Sequence, residues 1–266
     1  MAVSERMPVI ASARRFDGAA VALPAATTIL LFLIAEILKK GGLLPAFIPA
    51  PSELVAELVH DPSLVTRNLW PTISTAFLGY LAAAIITLLA GALTSSAGIL
   101  RRPIYNLGIT LNAIPIIATT PLLALLLGTG TSLQIVIAAL ASQFPMLVST
   151  MQGLDAADAR QKELFHSLSA SSWQSFRLLR LPSALPYLFT GLKIAAPSAV
   201  LGTITAEWAG ADRGVGAMML YALFSYDVVK VWISVALTCA LAAGAYGFWA
   251  FVETRVVFWG SSVETE

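Results

Sequence analysis

Six apolar runs, at about 21–38, 73–94, 107–127, 132–151, 185–206 and 231–252, constrain this chain more than any other feature. Each comes near the roughly 20 residues that an α-helix needs to span bilayer hydrocarbon. In hydrocarbon every backbone N–H and C=O must find its partner within the protein, and a helix does this without help. The expected fold class is an all-α membrane protein with about six transmembrane helices. Charged residues make up only 12% of the chain, with a mean hydropathy of +0.81, against about 25% charged residues in soluble domains. A chain this apolar cannot cover itself with polar surface in water. The first run follows basic residues as a signal peptide would, but its apolar part is long and no small-x-small site follows it. A retained helix is expected.

Lysine and arginine concentrate in cytoplasmic segments close to the membrane. With the N-terminus inside, Arg6, Arg14, Arg15, Arg101, Arg102, Arg160, Lys162, Arg177, Arg180 and Arg255 fall inside, while Lys39, Lys40, Arg67, Arg213 and Lys230 fall outside. Ten against five orients the chain and puts the polar stretch 152–184 in the cytosol. The expected organisation is a cytoplasmic segment 1–20, a membrane domain 21–259 that includes the loop 152–184, and a cytoplasmic tail 260–266, as a multi-pass protein of a bacterial inner membrane. Trp70, Trp208 and Trp232 near the outer boundary and Trp249 near the inner one suit interfacial belts or ordinary packing.

Pro115, Pro121, Pro145 and Pro197 fall inside the runs. Each removes a backbone donor, so neighbouring protein must satisfy the freed carbonyl, and a packed bundle is expected. Asn112, Thr119, Thr120, Gln143, Ser198, Thr203 and Thr205 put polar groups at membrane depth and are candidates for a translocation path. For most of them the competing reading is a hydrogen bond between helices, worth about 0.6 kcal/mol each. Asn112 and Gln143 stand out, because an unpartnered buried amide costs about 1–3 kcal/mol.

The loop 152–184 has its own structure. Asp155 or Asp158 is placed to cap a first short helix, on which Leu164 and Leu168 share a face. Ser171 and Gln174 form a capping box for a second, Trp173 and Phe176 follow on one face, and Pro182 is expected to stop that helix. Its outward turn would be 169–172. Such an element also suits an amphipathic helix resting on lipid with Arg177 and Arg180 at headgroups.

A Glu-led helix, a small turn residue six positions on, and an aliphatic-x-Leu-Pro ending resemble the EAA signature of ATP-binding-cassette importer permeases. Here Glu163 leads, Ser169 turns, and Leu179, Leu181 and Pro182 end the motif. Leu164 and Phe165 replace the usual alanines, and Ser169 the usual glycine, so the turn is either right-handed or slightly strained. Gly191-Leu-Lys-Ile-Ala195, Ala206-Glu207 and Arg213-Gly-Val-Gly216 extend the likeness to permeases of the nitrate, sulfonate and taurine type, over roughly 54 to 259.

The resemblance implies a type I importer permease fold. The partners it implies are two ATPase subunits, a second copy of the permease, an extracytoplasmic solute-binding protein and the bilayer. It also implies that the loop is the coupling element, through Glu163, Leu164, Phe165, Leu168, Ser169, Ala170, Ser171, Leu181 and Pro182. The solutes it implies are small anions such as nitrate, sulfonates and taurine, or pyrimidine vitamin precursors. Lys193 is the cation nearest a path.

Motifs for chemistry are not found. Gly128-Thr-Gly130 is too short for a phosphate loop and lacks its lysine, and His60 and His166 have no ligand spacing. No serine sits in a G-x-S-x-G setting. Cys239 stands alone, which excludes a disulfide framework or a cysteine metal site. No catalytic residue, metal or cofactor is expected, nor any nucleic-acid partner at a net charge of +1. Glycines 210, 214 and 216 with Met218, Met219, Leu220, Leu223 and Phe224 suggest a re-entrant or interfacial helix near an outer gate, or else a connector. Pro51 and the following 52–59 suggest another outer helix capped at Ser52. A secondary transporter or a membrane scaffold without an ATPase partner is the alternative. No repeat is visible, however, and only Lys193 and Glu36 are buried-charge candidates.

Overall fold

The computed structural model describes residues 18–96 and 98–257, so most of the expected segment 1–20, the tail 260–266 and Arg6, Arg14 and Arg15 lie outside the described residues. The chain divides into two compact units, one up to Ala56 and one from Glu57.

In the first unit the first apolar run forms helix α1 (Gly18–Lys40). It ends where Gly42 adopts φ +70° and the N–H groups of Gly42 and Leu43 return to the carbonyls of Lys39 and Leu38. Helix α2 (Pro51–His60) then begins with proline at its first position, where the missing N–H costs nothing. Ser52 does not cap it, because it already lies inside the first turn. Its N–H and hydroxyl donate instead to Glu36 at 3.0 and 2.7 Å. Glu53 reaches back to the N–H of Ala50.

The second unit holds helices α3 (Ser63–Ser96), α4 (Arg101–Ala113), α5 (Ile116–Leu127), α6 (Thr131–Asp155), α7 (Ala159–Ser167), α8 (Ser172–Ser175), α9 (Leu181–Glu207), α10 (Val215–Phe224) and α11 (Val228–Val256). Among the described residues four helices are long and apolar enough to cross a membrane: α3, α6, the continuous stretch Ser172–Glu207, and α11. The third apolar run is not one straight helix. It is bent by 94° between α4 and α5. Pro115 supplies no N–H and disfavours helical geometry in the residue before it, and Ile114 is extended at φ −75°, ψ 123°. The pair still carries the chain across. Arg101 at its start pairs with Asp155 at the end of α6, while Thr129 just beyond it lies against Gly210, past the opposite end of α9.

α6 is the centre of the bundle, and small residues let its neighbours approach. A Cβ placed on Gly79 of α3 would stand 2.5 Å from the Ala138 Cβ and 2.6 Å from the Ile135 carbonyl oxygen. One on Gly191 of α9 would stand 2.6 Å from the Ser149 Cβ, and one on Gly202 2.7 Å from the Ala141 Cβ. α3 meets α6 at 79 with 138 and at 91 with 150, so these helices run parallel. α9 meets it at 191 with 149 and at 202 with 141, so α9 runs antiparallel. Between them Ala83, Ala138, Ala195, Ala196 and Ala199 are buried with Tyr80 and Met146.

α11 closes on α9 through polar and aromatic contacts. Lys193 donates to Glu253 at 2.6 Å, so its charge is taken up by a helix neighbour. Trp249 packs with Tyr80 and Phe189 at ring distances of 5.9 and 6.2 Å. It is a packing residue at the helix interface.

Helices in lipid associate through close backbone approach, so bulk at a notch should be felt strongly. Gly202→Leu is expected to lower stability by about 1–3 kcal/mol through overpacking. Gly244→Leu, whose added atoms meet open space, should change it little. Melting temperatures of the two purified variants in the same detergent check this, and equal values would contradict it.

Candidate coupling loop and translocation path

The loop after α6 folds as two helical pieces around one strained residue. α7 follows Asp158, which occupies the capping position but makes no side-chain bond to the helix. Asp155 is engaged by Arg101. Neither aspartate caps α7. The C-terminus of α7 is fixed by its own backbone: the Ala170 N–H donates to Phe165 and the Ser169 N–H to His166, each at 3.0 Å. This pattern places its turn residue in the left-handed region, and Ser169 has φ +52°. The turn is therefore strained, where glycine would not be.

Ser171 then caps α8 as the sequence predicts. Its hydroxyl accepts the Gln174 N–H at 3.2 Å and its own N–H donates to the Gln174 side chain at 2.8 Å. Trp173 and Phe176 stack at 5.8 Å. Pro182 does not stop this helix. A π turn over Phe176–Arg180 widens it just before the proline, with the Leu181 N–H reaching back to Phe176. The opened turn accommodates the ring, and Ser172 to Glu207 form one helix of 36 residues.

Of the coupling candidates, Leu164 and Leu168 are 57% and 69% exposed. Glu163, Ser169 and Ser171 are also exposed, whereas Phe165, Ala170 and Pro182 are half-buried. Leu181 is 37% exposed. The loop stands at the basic end of the second unit. Arg101, Arg102, Arg160, Lys162, Arg177, Arg180 and Arg255 gather there, while Arg67, Arg213 and Lys230 mark the opposite end.

The path candidates divide. Thr119 and Thr120 donate to Ile116, Ser198 to Ile194 and Thr205 to Leu201. These hydroxyls bond carbonyls one turn back on their own helix, so they do not link helices. Asn112 is exposed beside the bend. Gln143 Nε2 and Thr203 Oγ1 are buried with no hydrogen-bond partner. Among the described residues no hydrogen bond joins any two of the seven.

The most elaborate polar cluster lies at the other end of the bundle and was not singled out as a site from sequence. Glu207, fully buried at the end of α9, accepts the Thr72 hydroxyl and the Gly216 N–H, both at 2.6 Å. Thr72 accepts the Val215 N–H at 2.9 Å, and Asn68 accepts from Gly214 at 3.4 Å. Side chains of α3 and α9 thus cap the N-terminus of α10, whose partial positive charge suits a carboxylate. α10 is anchored in this way. The available signal was a glutamate closing an apolar span just before a glycine-rich stretch.

Around this cluster Asp61, Arg67, Asp212, Arg213, Asp227 and Lys230 line a charged cleft. The Ser63 hydroxyl and N–H hold the Asp61 carboxyl below its usual range. Burial pushes the Asp227 carboxyl up, but the side-chain and backbone bonds from Lys230 bring it lower than usual.

Residues 77–257 match the family described as "Binding-protein-dependent transport system inner membrane component", and the chain belongs to that family. It is an importer-type ABC permease. It is 30% identical over 200 residues to the formylaminopyrimidine transport permease protein ThiX of Halalkalibacterium halodurans, covering 75% of this chain and 80% of that protein. It is 27% identical to the riboflavin transport system permease protein RibX of Chloroflexus aurantiacus, with 98% of each covered. It is 29% identical to the putative aliphatic sulfonates transport permease protein SsuC of Bacillus subtilis, covering 88% and 86%. The fold is similar to a chain of the inward-facing MetNI methionine ABC transporter, with a TM-score of 0.58 at 21% identity, covering 73% of this chain and 95% of that one.

Substitutions at two sites should move stability in opposite directions. Glu207→Ala removes a buried acceptor and should cost about 1–3 kcal/mol, with Glu207→Gln milder because one acceptor oxygen remains. Ser169→Gly relieves a left-handed serine and should gain on the order of 1 kcal/mol. Thermal unfolding of the three variants checks the signs. A destabilising Ser169→Gly would remove the strain argument.

Proposed function

We propose that this permease works as a homodimer with two ATPase subunits and an external binding protein, and passes a small solute across the bacterial inner membrane. The observation that carries this reading is the loop around Ser169. It presents exposed Leu164 and Leu168 beside a strained turn at the basic end of the bundle, where the positive-inside rule puts the cytosol. Both termini are then cytoplasmic. ATP is hydrolysed by the partner subunits, and their closure moves the loops and turns the bundle outward. The segment 207–230, with its anchored α10 and charged cleft, receives the binding protein on the other side.

The seven polar path candidates keep their role in this proposal, with Gln143 and Thr203 foremost because neither has a protein partner. The solute is a nitrate-, sulfonate- or taurine-like anion or a vitamin precursor. Engagement of Lys193 by Glu253 favours the vitamin-precursor class, which needs no compensating cation. A thermal-shift screen of the cognate binding protein with a formylaminopyrimidine, riboflavin, taurine and an alkanesulfonate decides the class. A shift with the last two alone would reverse this preference.

Cysteines placed at Ser169 and Asp212, in a background lacking Cys239, should be labelled from opposite sides of the membrane by an impermeant thiol reagent. Labelling from the same side would sink the topology. Leu168→Glu and Ala170→Glu should each abolish ATPase co-purification and solute uptake at normal membrane abundance, because a docked turn has no room for a lone buried charge. If both activities persist in both variants, the loop is not the coupling element.

A further inference from the structure

Behind the proposed coupling turn lies a cleft of about 880 Å³, which Ala170 and Leu181 of that loop also line. Its inner wall is apolar and comes from the ends of three spanning helices: Leu88 of α3, Leu154 of α6, and Leu181 and Leu188 of α9. Its rim carries Lys162 of α7 and Arg180 of the π turn. Arg180 is half-buried, yet among the described residues neither it nor the Lys162 ammonium makes a hydrogen bond or ion pair through its side chain. Arg101 and Lys193, by contrast, are paired with Asp155 and Glu253. Two cations without a counter-charge, set beside an apolar wall, leave the cleft open to an anionic partner.

The geometry points to an anionic phospholipid of the inner leaflet as the missing partner. A phosphodiester matches the planar fork of arginine and accepts from a nearby ammonium, and the leucine wall suits acyl chains. Basic pockets between spanning helices on the cytoplasmic side take anionic headgroups for this reason. A soluble anion would leave the apolar wall uncovered. The ATPase is expected on the outward face of the loop, where Leu164 and Leu168 are exposed. The lipid would thus brace the turn from behind, between α7 and the start of the long helix. The inference rests on the cytoplasmic placement of the loop only for which leaflet supplies the lipid.

Native mass spectrometry of the full chain in neutral detergent, offered phosphatidylglycerol and phosphatidylethanolamine with identical acyl chains, tests this. Phosphatidylglycerol should be retained at least tenfold in preference. Lys162→Gln with Arg180→Gln should bring the two lipids to parity, and Arg180→Lys with Lys162 intact should restore part of the preference. Arg102→Gln with Arg255→Gln, at the same end but outside the cleft, should leave it within twofold. Unchanged melting temperatures confirm that the variants fold, and a misfolded pair is replaced by the single Arg180→Gln change. Equal retention of both lipids by the unaltered chain, or an undiminished preference in the cleft variants, would overturn the site. Displacement by millimolar glycerophosphate would reassign it to a soluble phosphate, and displacement by added cognate ATPase would reassign it to that subunit. Neither result depends on transport, so the proposed function stands or falls separately.

Discussion

The close approach of α3 and α9 to α6 is the constraint on which the second unit depends. Lipid is as apolar as a leucine side chain, so burying leucine between helices gains little in a membrane, and association rests on packing and internal hydrogen bonds. Gly79, Gly191 and Gly202 remove the atoms that would hold the backbones apart. α6 can then be embraced from both sides, with α3 parallel and α9 antiparallel to it. That arrangement alone puts the end of α6 beside the start of α9, and therefore puts the loop between them at one end of the bundle as a compact turn.

The two ends of this frame are built on different physical terms. At the Glu207 end a buried carboxylate, a threonine and an asparagine satisfy the first N–H groups of α10, leaving few free donors in a region short of water. At the loop end Ser169 holds a left-handed conformation and Leu164 and Leu168 stand exposed, and just beyond α10 Tyr226 likewise has φ +56° and Phe224 and Tyr226 stand exposed. Each end therefore keeps apolar side chains that a partner can cover.

How much of this was legible in the sequence depended on range. The capping box of Ser171 and Gln174 is local and reads directly. The spans are legible because hydropathy sums over about 20 residues. Proline was less easily read, since its effect depends on what the neighbouring turns can absorb. Pro115 breaks a helix, Pro145 and Pro197 do not, and Pro182 passes through a π turn. Polar residues within the spans are hard to read for a related reason, since a carbonyl one turn back competes with any partner on another helix and is always in reach. The Glu207 cluster was the least legible, because it joins Thr72 to residues 135 positions away.

The continuity of Ser172–Glu207 bears most directly on mechanism. A helix of 36 residues at 1.5 Å per residue is about 54 Å long, enough to join the Ser169 turn at one end of the bundle to the α10 cap at the other in a single element. A stop at Pro182 would have made the loop a separate piece, able to tilt without disturbing the bundle. With the helix unbroken, the turn and Glu207 belong to one element, and Glu207 in turn bonds Thr72 of α3 and the first turn of α10. The π turn at Phe176–Arg180 is where this rod is least regular, directly beside the cleft that holds Arg180. Under the proposed function, a lipid phosphate on Arg180 would therefore bear on how a movement at Ser169 reaches the far side as well as on stability.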